Sequence, residues 1–129
     1  LFYENDMEIS ADIENNISVQ GDKDKLRQVI NILLDNALKY SDTADKVVVK
    51  LRRQSSESIL SVSSPGIALT NEECRNIFKR FYRMDKARND GQSYGLGLSI
   101  ADSIIKEHNG KIWAESSGGY NAFFVSLPL

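Results

Sequence analysis

The sequence is short of the residues that build cross-links and metal centres. Among 129 residues there is one cysteine, Cys74, and one histidine, His108. A lone cysteine excludes an internal disulfide and fits a reducing compartment. Two soft ligands are also too few for a structural zinc site. No apolar run approaches the roughly 18 residues that span a bilayer. Residues 1–6 have neither the basic nor the apolar region of a signal peptide and no initiator Met, so the expectation is a fragment excised from a longer chain. Basic residues are not in excess: 16 Lys and Arg against 18 Asp and Glu give a net charge of -2. Nothing there is set to neutralise a phosphate backbone, which argues against nucleic acid as a partner. Repeats and low-complexity segments are absent as well.

What is present is ordinary for one globular domain spanning 1–129, with 41% hydrophobic and 26% charged residues. Residues 7–12 alternate as a strand does, and residues 17–20 read as a short partner across a turn at Asn15-Asn16. Asp22 is a suitable N-cap for a helix over residues 23–40. There Leu26, Val29, Ile30, Leu33, Ala37 and Tyr40 recur at the spacing of one buried face. Residues 46–53 and 58–63 predict a hairpin, and Pro65-Gly66 breaks its second strand. A short helix is expected over residues 71–81, then a charged, aperiodic loop over residues 82–94. A second long helix starts at Leu96, with Ala101, Ile104, Ile105 and His108 on one face and Asn109-Gly110 at its end. Strands over 111–115 and 122–127 close the chain. This mixture predicts a two-layer α/β fold with helices on one face of a sheet.

Three segments could carry chemistry. Asn36, Lys39 and Tyr40 project to nearly one side of a helix, where an amide oxygen can ligate Mg²⁺ and an ammonium can neutralise phosphate. Tyr94-Gly95-Leu96-Gly97-Leu98 sits at a loop-to-helix junction, where glycines let backbone N–H groups approach an anion. The loop before it carries Arg83, Lys86 and Arg88, cations able to fold over phosphates. Ser64-Pro65-Gly66-Ile67-Ala68-Leu69 lies at a strand end, a common place for ligand contact. Each has a plainer account when taken singly: a helix turning polar as it leaves the core, a solvated loop, a tight turn. His108 reads as a packing or helix-terminus residue rather than a phosphoacceptor. Cys74 reads as a partly buried, inert thiol.

In this order, the segments resemble the catalytic domain of sensor histidine kinases, within the wider gyrase–Hsp90–histidine kinase–MutL ATPase superfamily. The stretch from Gly21-Asp22 to Asn36-Ala37-Leu38-Lys39-Tyr40-Ser41 is similar to the family's N box. Ser64 to Leu69 stands where its first glycine box belongs, Ile77-Phe78-Lys79-Arg80-Phe81-Tyr82-Arg83 matches its F box, and Gly95-Leu96-Gly97-Leu98 its second glycine box. The resemblance implies the Bergerat fold, a five-stranded mixed sheet against three helices with ATP at one end. It implies that Asn36 holds Mg²⁺, that Lys39 and Tyr40 line the phosphate and ribose side, and that Gly95 and Gly97, with Leu96 and Leu98, turn backbone amides to the phosphates. It places Ser64, Gly66, Ala68 and Leu69 at the base, and makes residues 82–94 a lid anchored by Phe78 and Phe81.

The chain departs from the family pattern at Ile32, where an Asn is usual, at Ser64, where an Asp reads adenine, at Ala68, a glycine position, and at Tyr120, another. Asn31 does not replace the missing Asn, since five helical residues turn about 140°. Three readings follow: an autokinase domain, a degenerate regulatory module, and an ATP-hydrolysing relative of gyrase or Hsp90. The last needs a Glu where Ile32 stands. The partners implied are a separate dimerisation domain bearing the phosphoacceptor histidine and the receiver domain of a response regulator. The domain itself is expected in the cytoplasm without direct membrane contact, its parent anchored in the bacterial cell membrane.

Overall fold

A computed structural model describes residues 8–40, 46–82 and 96–129. Strand β1 (Glu8–Ile13) leads through an extended segment into α1 (Lys23–Tyr40). Strands β2 (Lys46–Gln54) and β3 (Glu57–Pro65) follow as a hairpin, then α2 (Asn71–Asn76). Helix α3 (Gly97–Glu107) and strands β4 (Lys111–Ser117) and β5 (Tyr120–Pro128) complete the described elements. The sheet has five strands in the order β1-β2-β3-β5-β4. Among the described strands β1 and β2 run parallel and the other pairs are antiparallel. The α/β sandwich expected from the sequence is the fold observed.

Local chemistry sets the turns. Asp22 Oδ1 accepts from the N–H groups of Asp24 and Lys25 and caps α1. Thr70 and Glu73 form a reciprocal capping box at α2, with bonds of 2.9 and 3.0 Å. Gly118 and Gly119, at φ +60° and +84°, turn the β4–β5 hairpin in the positive-φ pair that matches strand twist.

Three expectations need correction. Residues 17–20 form no strand: β1 pairs with β2, and α1 is the crossover between them. Ile17 and Val19 instead line an apolar cavity of about 180 Å³ with Leu26, Ile30, Leu60 and Leu127, so their alternation reflects packing rather than a ladder. Helix α2 stops at Asn76 rather than continuing to 81, as the chain turns Ile77 and Phe78 into the core and Phe81 adopts φ +65°. Ile30, counted on the buried face of α1, is 39% exposed.

The core joins Val29, Leu33 and Ala37 of α1, Leu98, Ala101, Ile104 and Ile105 of α3, and Val47, Val62, Phe123 and Val125 of the sheet. Helices α1 and α3 are antiparallel. At one end Lys25 pairs with Glu107 at 3.2 Å. There too His108 Nε2 accepts the Asp22 N–H at 3.0 Å, while its Nδ1 lies 2.8 Å from the Ile104 carbonyl. Asp22 N–H can only donate and a carbonyl can only accept, so Nδ1 carries the proton. Nε2 thus ties the end of α3 to the start of α1, while Nδ1 bonds back within α3. At its other end, the start of α3 meets α1 near its middle, at Ile32.

Candidate functional site

Several of the residues singled out from the sequence lie near this contact, on α1 and at the start of α3. Asn36 lies half-buried in α1, and its Nδ2 donates to the Ile32 carbonyl at 3.1 Å. That bond uses the amide's donor side and leaves Oδ1 as its acceptor. A Cβ built on Gly97 would lie 3.5 Å from Ile32 Cγ2, ordinary contact, so the first turn of α3 packs on α1 one helical turn before Asn36. The N-cap of α3 is Leu96, which makes no side-chain capping bond, and no acidic residue lies in the first turn. A helix N-terminus without a capping side chain offers N–H groups to an anion. Leu98 is buried in the core, so only its backbone can face a ligand.

Lys39 is exposed in the last turn of α1, and Tyr40 ends that helix. The side chain of Tyr40 and all of Arg83, Lys86, Arg88 and Gly95 lie outside the described residues. The expected pair of lid anchors divides. Phe78 packs edge-on against Phe123, with ring centroids 6.2 Å apart. Phe81 is 63% exposed, with the Arg80 guanidinium 5.3 Å from its ring centroid.

At the end of β3, Ser64 is buried and stands opposite Asn121 of β5. The chain beyond it is bonded to the β4–β5 hairpin. Gly66 N–H donates to the Gly119 carbonyl at 3.0 Å. Leu69 N–H donates to Ser116 Oγ at 3.0 Å, and Asn121 Nδ2 donates to the Ile67 carbonyl at 3.0 Å. Ala68, between these two anchor points, is exposed. The sequence reading missed Ser116 and Asn121. Extending β5 to Tyr120 would have found Asn121, because it then falls in register with the inward-facing Phe123 and Val125.

Among the described residues, no three His, Cys, Asp or Glu side chains gather closely enough to hold a metal. Cys74 stands apart from the Asn36 site, on α2. Burial, then the charges of Glu73 and Glu115, push its thiol above the ordinary value. The folded chain should therefore be alkylated at pH 8 more slowly than the same chain in urea. A raised thiol contributes stability that is complete below its unfolded pKa and is lost as pH rises through the folded one. Alkaline destabilisation should accordingly be shallower in Cys74→Ser, and an unchanged slope would contradict this.

The sequence pattern of the family described as histidine kinase-, DNA gyrase B- and HSP90-like ATPase matches residues 21–129. The chain belongs to this family. It is an ATP-binding domain of the sensor histidine kinase type. Across all 129 residues it is 33% identical to the sensor protein DltS of Streptococcus agalactiae serotype III strain NEM316, of which it spans 33%. With the sensor protein VanS of Enterococcus faecium it shares 39% over 114 residues, 87% of this chain and 29% of VanS. The chain thus spans about a third of the length of the curated relatives it matches. The nucleotide-free catalytic domain of the histidine kinase ThkA superimposes with a TM-score of 0.86 at 26% identity, over 98% of this chain and 82% of that one. The mycobacterial sensor histidine kinase MprB shares the fold, with a TM-score of 0.85 at 24% identity over 98% of this chain and 84% of its own. Among the described residues, no helix is long and apolar enough to cross a membrane.

Proposed function

We propose that residues 1–129 form the catalytic domain of a longer sensor kinase, which binds Mg-ATP and delivers the γ-phosphoryl group to a histidine on a separate dimerisation domain. The approach of the α3 N-terminus to Ile32, one helical turn before Asn36 on α1, carries this reading. One triphosphate can then meet both a metal-bearing amide and a set of backbone N–H donors.

Asn36 fits Mg²⁺ because its Nδ2 is held by Ile32 and its oxygen is the group left to coordinate. Mg²⁺ takes few protein ligands, keeps several waters and fills its octahedron with phosphate oxygens. When bound, it neutralises charge on the transferring phosphoryl group. The chain's own contribution is positioning. Gly97 and Leu98 turn N–H groups to the phosphates, Lys39 supplies a mobile positive charge at the rim, and Tyr40 flanks the ribose. Arg83, Lys86, Arg88 and Gly95 belong to the lid in this reading. Ser64, Gly66, Ala68 and Leu69 border the base, and Phe81 marks the lid's start. Ile32 carries no base to activate water, which favours transfer to histidine over steady hydrolysis. The phosphohistidine then passes its phosphoryl group to a response regulator's receiver domain. The domain works in the cytoplasm, with the parent anchored in the bacterial membrane.

The degenerate reading rests on Ile32, Ser64 and Ala68. Mixing the chain with ATP, Mg²⁺ and the parent's histidine-bearing domain separates the two. Phosphohistidine forms if the domain is a kinase; its absence, with nucleotide still bound, supports the degenerate module. Ser64→Asp tests the base contact. A carboxylate accepts the adenine amino group more strongly than a hydroxyl, by about 1 kcal/mol, so binding should tighten by somewhat under tenfold. Because Ser64 is buried, the nucleotide-free variant should also be less stable. Unchanged or weaker nucleotide binding in calorimetry would remove Ser64 from the base site.

A further inference from the structure

The segment after β3 is held by a directed chain of hydrogen bonds that begins and ends on it. Leu69 N–H donates to Ser116 Oγ at 3.0 Å, Ser116 Oγ–H donates to Asn121 Oδ1 at 2.6 Å, and Asn121 Nδ2 donates to the Ile67 carbonyl at 3.0 Å. Chemistry fixes each direction. A backbone N–H can only donate, so Ser116 Oγ accepts it and sends its own proton onward. A backbone carbonyl can only accept, so the nitrogen of Asn121 faces Ile67 and the oxygen faces Ser116. The relay grips the backbone on both sides of Ala68, and Gly66 N–H bonds to Gly119 of the same hairpin. Asn121 is buried and sits across the ladder from Ser64. The relay bonds are buried or half-buried, where a lost partner is costly.

Resting on the Mg-ATP reading above, we infer that Ser116 and Asn121 are positioning residues for the nucleotide base. They act through residues 66–69, and they set the preference for adenine. The side chain of Asn121 is turned to Ile67 and Ser116, so its effect on the base is indirect. A segment fixed from the hairpin has its base-facing groups placed before the nucleotide arrives. Affinity then carries less ordering cost than it would for a free loop.

The test is calorimetric titration of the 129-residue chain with Mg-ATP and Mg-GTP. The proteins are the parent, Asn121→Leu, Ser116→Ala and Ser116→Thr, each well below its own Tm. Asn121→Leu and Ser116→Ala are expected to lose about tenfold in ATP affinity and less than about threefold in GTP affinity, so the ATP/GTP ratio collapses. Ser116→Thr keeps the hydroxyl and should restore the ratio. A structural role alone would lower Tm and leave the ratio of the folded variants at the parental value. That result, or ATP affinity within twofold of the parent in both variants, overturns the inference. Should Asn121→Leu fail to fold, Ser116→Ala decides, since it removes one oxygen from a half-buried side chain. A parent chain that binds no ATP would refute the proposed function itself, whereas the relay alone fails if only the variants behave like the parent.

Discussion

Replacing Asn36 with Ala is expected to weaken Mg-ATP binding by about 30-fold or more while leaving metal-free ATP binding unchanged. A polar contact to a charged group contributes about 1.5–3 kcal/mol, and its upper half corresponds to that loss. The fold should tolerate the change. Asn36 Nδ2 bonds to Ile32 O within the same helix, and that carbonyl keeps its ordinary helical partner after truncation. Calorimetry with Mg²⁺ and with EDTA separates the two terms. Equal affinities of Asn36→Ala and the parent in Mg²⁺ would remove the metal role. Phosphoryl transfer should fall at least in parallel, since metal-assisted charge neutralisation acts on the reacting group.

The largest effect on stability is expected at Gly110. A Cβ there would lie 2.4 Å from Ser126 O, 2.8 Å from Leu127 Cδ2 and 2.9 Å from Ile105 Cγ2. Leu127 could shift its side chain, but Ser126 O is backbone of a paired strand facing Lys111. Overpacking of this kind costs about 1–3 kcal/mol, and a fixed backbone atom argues for the upper end. Gly110→Ala should lower Tm by roughly 10 °C in a thermal melt. Asn109→Gly is the informative contrast. Asn109 holds φ +61°, a conformation glycine adopts freely, so that variant should melt within about 2 °C of the parent. The reverse order of the two Tm values would contradict the packing argument.

These neighbours show how the sequence can be legible in kind and wrong in detail. Asn109-Gly110 marked the end of α3, but it is Asn109 that turns left-handed, while Gly110 is small because β5 presses on it. Helix α1 was readable at both ends, because its apolar spacing is helical and Asp22 caps it. Residues 17–20 alternate as a strand would, yet what they match is a cavity between α1 and the sheet. Periodicity reports which side chains are buried and is silent on what covers them. The start of α2 at residue 71 was legible, whereas its early end depends on Ile77 and Phe78 entering a core built from distant strands.

The candidate site shows the same division. Asn36 was visible as a polar residue on a core helix, Gly97 as a glycine at a loop-to-helix junction, and Ser64 through its strand end and the family resemblance. Ser116 and Asn121 were not visible, because their role appears only when the β4–β5 hairpin lies beside the end of β3. Ile32 looked like a missing ligand. In three dimensions it packs against the core and faces Gly97 at the start of α3, an apolar role, while its carbonyl accepts from Asn36.

The most direct measurement is paramagnetic broadening by Mn²⁺ in place of Mg²⁺, read on the side-chain amide of Asn36 and on the backbone amides of Gly97 and Leu98. With ATP present, both sets should broaden together, and Mn²⁺ without nucleotide should leave both sharp. Broadening confined to one set, or independent of ATP, would mean that the two helix ends do not share a nucleotide.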